Sequence, residues 1–99
     1  MAVEFEWDEA KERQNLRKHG ISFVSAIEAF RDPRGIKLID ERHSGSEPRF
    51  FWVGRDSSGR VLTTRFTQRG AKIRIIGCGH WRKFARHYYE AENPTEDES

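Results

Sequence analysis

Cysteine is nearly absent from this 99-residue chain: Cys78 stands alone, so no internal disulfide can form. That usage points to a reducing, cytoplasmic compartment. Long apolar runs are also missing. None approaches the ~18 residues that a membrane helix requires, so no membrane partner is expected. The opening residues carry Glu4, Glu6 and Asp8 where a secretory leader would be basic and then apolar. Metal spacing is absent too, with no CxxC, HExxH or EF-hand pattern. Gly77-Cys78-Gly79 lacks the rest of either nucleotide-binding fingerprint, and there is no serine-nucleophile elbow. No cofactor and no metal are expected.

What the chain does contain is enough for one modest core. Hydrophobic residues make up 35%, and the length corresponds to one domain. Residues 1–91 are assigned to that domain and 92–99 to an acidic tail, expected to be disordered.

Charge is segregated. The ten residues from Glu90 to Ser99 hold five acids and no base, which leaves 18 bases against 11 acids, a net of +7, in residues 1–89. From Ser57 to Tyr89 there is no acid at all, against eight bases: Arg60, Arg65, Arg69, Lys72, Arg74, Arg82, Lys83 and Arg86. Ordinary surfaces intersperse both signs. A long stretch of one sign concentrates positive potential and favours a polyanion as partner. The bland alternative is pairing with acids elsewhere, such as Glu4, Glu6, Asp8, Glu9 and Glu12.

Patterning predicts the order β-α-α-β-β-β-β-α. Val3–Trp7 alternates as a strand. Asp8 caps a helix that stops at Gly20. Ser22 caps a second helix whose Phe23, Ala26, Ile27 and Phe30 share one face, and Asp32-Pro33 ends it. Strands follow at 36–40, 49–55, 60–67 and 72–78. They are joined by a polar loop at His43–Pro48 and turns at Asp56–Gly59 and Gln68–Ala71. A last helix spans about 80–91. The fold class is α+β: an antiparallel sheet packed by two N-terminal helices and one C-terminal helix.

A subset of Arg65, Thr67, Arg69, Lys72 and Arg74 is expected to form a cationic sheet face, where guanidinium forks suit phosphate. Strict alternation along 72–78 puts Arg74 with Ile76 and Cys78, and Ile73 with Ile75 and Gly77. Phe50, Phe51, Trp52, Trp81, Tyr88 and Tyr89 lie among or near the bases, and exposed aromatics beside cations suit single-stranded nucleic acid. RNA cleavage through the ribose 2′-OH needs a base, a cation and an acid. His80, expected beside Arg69 and Arg74, is one candidate. His19 at a helix C-terminus, His43 in a loop and His87 on the last helix are the other histidines.

Phe5-Glu6-Trp7-Asp8 followed by Asn15–Phe23 (NLRKHGISF) resembles the start of BrnT-family toxins. Asp32-Pro33, Arg49-Phe50, Gly54-Arg55, Thr67-Gln68-Arg69-Gly70 and Ile73-Arg74-Ile75-Ile76 agree with it, over about residues 4–90. The resemblance implies a RelE-like fold and a metal-independent ribonuclease of a type II toxin–antitoxin module. It also implies a BrnA-like antitoxin that binds operator DNA together with the toxin. On this basis Arg69, Arg74, His80 and His19 are the catalytic candidates. Lys18, Arg65, Thr67, Lys72, Trp81 and Arg82 are the RNA-binding candidates, and Trp52 or Trp81 is the anchor for an antitoxin. The chain departs from the family pattern at four positions. Gly77 stands for a serine, Gly79 for an arginine, Ala85 in the place of a glutamate, and Phe66 where a histidine or tyrosine is common. Reduced cleavage is therefore expected, with restoration by Gly79→Arg and Ala85→Glu. The alternatives are a degenerate toxin that only binds, and a basic RNA-binding domain outside toxin–antitoxin systems.

Overall fold

The computed structural model describes residues 3–43 and 45–92. The expected disorder beyond Asn93 lies outside them. The elements are β1 (Glu4–Trp7), α1 (Glu9–His19), α2 (Phe23–Phe30), β2 (Ile36–Ile39), a 3₁₀ turn (Glu41–His43), β3 (Arg49–Arg55), β4 (Val61–Arg69), β5 (Lys72–Gly79) and α3 (Arg82–Glu92).

Local chemistry explains the boundaries. The Asp8 carboxylate accepts from the amides of Ala10 and Lys11 at 2.8 and 3.3 Å, which starts α1. Gly20, at φ 68°, closes it by donating to the Leu16 carbonyl at 2.9 Å. Ser22 caps α2 through the Ser25 amide, and Glu12 reaches across to the Phe23 amide at 3.0 Å. The last two strands run longer than the sequence pattern suggests, so Gln68 and Arg69 belong to β4 and the connection shrinks to Gly70-Ala71.

The sheet order is β1-β5-β4-β3-β2. Strands β2 to β5 form the expected antiparallel meander, but β1 pairs parallel with β5, so the sheet is mixed. Helices α1 and α2 separate β1 from the meander in sequence. The chain can thus return to the sheet's far edge in the same direction as β5.

The helices divide between the two faces. On one, Ile21, Phe23, Ala26 and Ala29 bury against Leu62, Ile75 and Cys78, with Phe5, Trp7, Ile73 and Trp52 around them. Trp52 lies on this side, donating its indole N–H to the Ala29 carbonyl at 2.7 Å and stacking on Phe30. It is therefore a core residue and not an anchor beside the bases. On the other face, α3 places Ala85 and Tyr88 against Val53 and Val61. The Tyr88 hydroxyl donates to Asp32 Oδ2, the same oxygen that accepts the Arg55 amide at 2.8 Å. This network ties α3 to the end of α2. Burial pushes the Asp32 carboxyl up, but the Tyr88 hydroxyl, the Arg34 and Arg55 amides and the Arg55 charge outweigh it. The group ends below its ordinary value.

Candidate nucleic-acid interface

A β-bulge decides which residues share the open face. Arg65 pairs with Gly77 and Phe66 with Ile75, so Ile76 is an extra residue. Beyond it the alternation flips. Gly77 joins Arg74's face, and Cys78 joins the α1–α2 core with Ile75. Strict alternation assigned both wrongly, because it has no way to anticipate an inserted residue.

With the bulge in place, one face reads in rows across the strands. Leu38, Phe51, Arg65 and Gly77 form one row. Arg49, Thr67, Arg74 and Glu6 form the next, and Arg69, Lys72 and Glu4 the third. Successive rows lie about 7 Å apart. Helix α3 covers the Val53–Thr63 side and reaches the first row at Leu38 and Phe51, leaving the second and third rows uncovered by it. The expected cationic face thus exists, and it gains Arg49, which lies outside the acid-free stretch.

Acids partly neutralise it. Arg69 makes a two-pronged contact with Glu47 at 2.7 and 3.1 Å, and that hydrogen bond holds the Glu47 carboxyl below the usual carboxylate range. Arg74 lies 3.4 Å from Glu6, and Arg65 lies 3.4 Å from the buried Asp40. The Arg69–Glu47 and Arg74–Glu6 contacts join groups exposed or half-exposed on both sides, and such pairs are worth little and exchange readily for a competing anion. The Arg65 contact is to a buried carboxylate and is not given up as readily. The Thr67 hydroxyl is buried amid the arginines with no hydrogen-bond partner among the described residues.

Helix α1 meets the face at a cleft of about 260 Å³. Lys11, Lys18 and His19 approach from the helix, Arg65 and Phe51 from the sheet, and Trp81 from the start of α3. The Trp81 indole lies over Gly79, nearly perpendicular to the His19 ring at 5.6 Å between centroids. Among the described residues no acid pairs with Lys11 or Lys18. Three basic side chains and a half-exposed indole therefore converge on one cleft. This arrangement can bind a phosphate beside an aromatic surface.

What holds α1 there is a side chain the sequence reading passed over. The helix has no apolar stripe, and its one large apolar residue, Leu16, is 44% exposed. Asn15 is buried instead. Its amide nitrogen donates to the Ile21 and Cys78 carbonyls at 2.9 and 2.8 Å, and its oxygen accepts the Cys78 amide at 3.0 Å. β1 stops pairing at Ile75, and the Asn15 amide continues the pairing of β5 where that neighbour ends. The signal was an asparagine in mid-helix, where it is a poor helix former unless it has a partner.

The remaining candidates are dispersed. His80 lies at the far end of the sheet, with Nδ1 2.8 Å from the Val61 carbonyl. A carbonyl only accepts, so Nδ1 carries the proton. Val61 and Arg69 are the two ends of β4, roughly 26 Å apart at strand rise. His80 is therefore not beside Arg69 or Arg74, as the sequence reading had it. Arg82 is exposed on the first turn of α3, as is His87 further along. Lys72 stands in the third row beside Glu4. The proposed restorations fare badly. A Cβ at Gly79 would collide with the Trp81 ring, and Ala85 is buried in the α3 core, where a glutamate would lack a partner. Gly77 is open, with only Asn15 Oδ1 within reach at 3.7 Å.

These features define a class: a small α+β domain presenting a cationic cleft where an N-terminal helix meets a mixed sheet. Residues 7–84 match the family described as the ribonuclease toxin BrnT of type II toxin–antitoxin systems. The chain belongs to that family. It is similar in fold to the Brucella abortus ribonuclease toxin BrnT, known from a 1.1 Å crystal structure. The TM-score is 0.62, over 81% of this chain and 97% of that one, at 17% identity. No individually curated protein sequence matches the chain.

Proposed function

We propose that this chain is a cytoplasmic endoribonuclease toxin that cleaves RNA without a metal, thereby stops translation, and is neutralised by a BrnA-like antitoxin. Operator DNA is contacted only through the toxin–antitoxin complex. The observation that carries this reading is the cleft joining Lys18 and His19 to Arg65 and Trp81, in a chain of the BrnT family. Lys18 and Arg65 hold the scissile phosphate and stabilise its developing charge. His19, the histidine that lines the cleft, supplies one of the two proton transfers. The 2′-oxygen loses its proton and bonds to phosphorus, the bond to the 5′-oxygen breaks, and that oxygen takes up a proton. Arg69, Arg74 and Lys72, in the rows beyond, bind flanking phosphates once Glu47 and Glu6 let go, with Thr67 donating between them. Arg82 extends the same field along α3. His80 has no role in the step from its position at the Val61 carbonyl.

The test is RNA cleavage by the pure chain in EDTA. Lys18→Ala, Arg65→Ala and His19→Ala should each lower the rate at least tenfold. Lys18→Ala and Arg65→Ala should also flatten the salt dependence of RNA binding by roughly 0.7 per lost phosphate contact. Full cleavage by all three variants would refute the assignment. A second reading, a toxin fold that binds without turnover, is favoured by Trp81 covering Gly79 and by Ala85 in the core. Salt-dependent RNA binding with no cleavage would select it.

A further inference from the structure

The cleft does not end at Trp81. On the other side of the indole opens a second hollow of about 490 Å³, and Phe51, Arg65 and Trp81 line both. The two are halves of one groove. Their chemistry differs. The first is basic and polar. The second has a floor of Trp81, Phe51 and Phe84, with Phe51 and Phe84 4.7 Å apart, and a rim of Glu41, Arg42 and Lys83. Phosphate binding accounts for the first half only, because an anion gains nothing from an aromatic floor. Trp81 is 42% exposed at this junction, set nearly perpendicular to the His19 ring and to the Phe84 ring. An indole left half in water beside cations is a ready surface for a stacked base.

We propose that this hollow is a nucleobase subsite that selects guanine in the RNA strand whose phosphate occupies the neighbouring cleft. The proposal rests on the ribonuclease reading and names the specificity of that same site. The base stacks on Trp81, and the Arg65 guanidinium, 5.5 Å over the Phe51 ring, extends the stacking wall. The rim selects the base by its mixed sign. Glu41 is exposed, and among the described residues no base pairs with it, whereas Asp40 beside it is engaged by Arg65. A carboxylate accepts two hydrogen bonds side by side. Guanine alone presents two adjacent donors, N1–H and the N2 amino group, and its O6 and N7 acceptors lie on the next edge for Arg42 or Lys83. Adenine and cytosine set one amino donor beside a bare ring nitrogen. Uracil sets its N3–H between two carbonyls, which a carboxylate repels. An acidic antitoxin segment would fit the cations but meet Glu41 unfavourably.

The experiment titrates the full chain with the oligoribonucleotides UUGUU, UUIUU, UUAUU and UUUUU, reading tryptophan fluorescence and affinity. Inosine removes only the N2 amino group. UUGUU should bind about tenfold tighter than UUIUU or UUUUU and quench the exposed tryptophan. Glu41→Gln should erase the guanine-over-inosine preference and leave UUUUU binding no weaker, since it removes a carboxylate that repels the uracil carbonyls. Trp81→Leu should abolish the quench, with Trp7 and Trp52 still present, and weaken every oligomer on the order of tenfold. Both positions are exposed, and a native circular dichroism spectrum confirms folding. Equal affinity for the four oligomers, or a guanine preference that survives both substitutions, overturns the subsite while salt-dependent RNA binding leaves the ribonuclease reading standing. Absence of salt-dependent binding to any oligomer sinks both. A Trp81→Leu chain that binds RNA normally but no longer forms a complex with a cognate antitoxin overturns the base subsite and gives the hollow to the protein partner.

Discussion

Asn15→Ala is the sharpest test of how α1 is held. The substitution deletes three buried hydrogen bonds, to the Ile21 carbonyl and to both backbone groups of Cys78. Each is worth about 1 kcal/mol net, so the loss is about 3 kcal/mol. Alanine itself favours helix, which returns a few tenths of a kcal/mol. Water entering the adjacent cleft can satisfy one of the three groups, which sets a floor of about 2 kcal/mol. For a domain of this size the melting temperature should fall by roughly 8–24 °C. The control is Leu16→Ala, on the same helix but 44% exposed. It should cost about 0.5 kcal/mol. Urea unfolding followed by circular dichroism measures both, with an unchanged m-value as the check that the transition stays two-state. Asn15→Ala should also weaken RNA binding, because Lys18 and His19 lie one turn further along. A cost below about 1 kcal/mol for Asn15→Ala, with a larger one for Leu16→Ala, would show that α1 docks through apolar contact and that the amide clamp is incidental.

Three further outcomes are expected. Asp32 and Asp56 are both held below the ordinary carboxylate value. In each, burial raises the group, but hydrogen bonds outweigh it, from Tyr88 and backbone amides at Asp32 and from Ser58 and Arg60 at Asp56. Lowered values mean that their stabilisation is complete above the unfolded value of about 3.9 and disappears as pH falls through the folded one. Urea midpoints between pH 5 and 2 should fall less steeply in Tyr88→Phe. Cys78 is 1% exposed, and burial pushes its thiol up to about 11, against a weaker opposing hydrogen bond from Thr64. Iodoacetamide at pH 8 should therefore label the folded chain only as fast as it unfolds, and rapid labelling would contradict the burial. Finally, Gly79→Arg should expel the Trp81 indole, seen as a red-shifted emission, and Ala85→Glu should cost several kcal/mol by burying a carboxylate. Neither should raise cleavage, and a gain from either would show that the groove rearranges around the new side chain.

Much of the fold was legible in the sequence because its causes are local. The Asp8 and Ser22 caps, the Gly20 stop, the 3.6-residue stripe of α2 and the Asp56–Gly59 turn act over four residues or fewer, and all stand where they were expected. The cationic face was legible for a similar reason. An acid-free run with strand alternation must put bases somewhere on a sheet. Family membership, too, was carried by short motifs in order.

Tertiary structure decided everything that depends on which distant segments meet. Chain order does not reveal that β1 would run parallel beside β5, because edge pairing is chosen by how α1 and α2 pack. One extra residue, Ile76, reversed the faces of Gly77 and Cys78, and a bulge has no signature in alternation. Seven residues separate His80 from Lys72 in sequence, yet β5 carries them to opposite ends of the sheet. His19, from another element, comes to Trp81 instead. Composition told that positive charge is concentrated in one stretch of this chain. Only the fold could choose which cations lie against Glu6 and Glu47 and which face an open cleft, because charge pairing follows distance in space and not position along the chain.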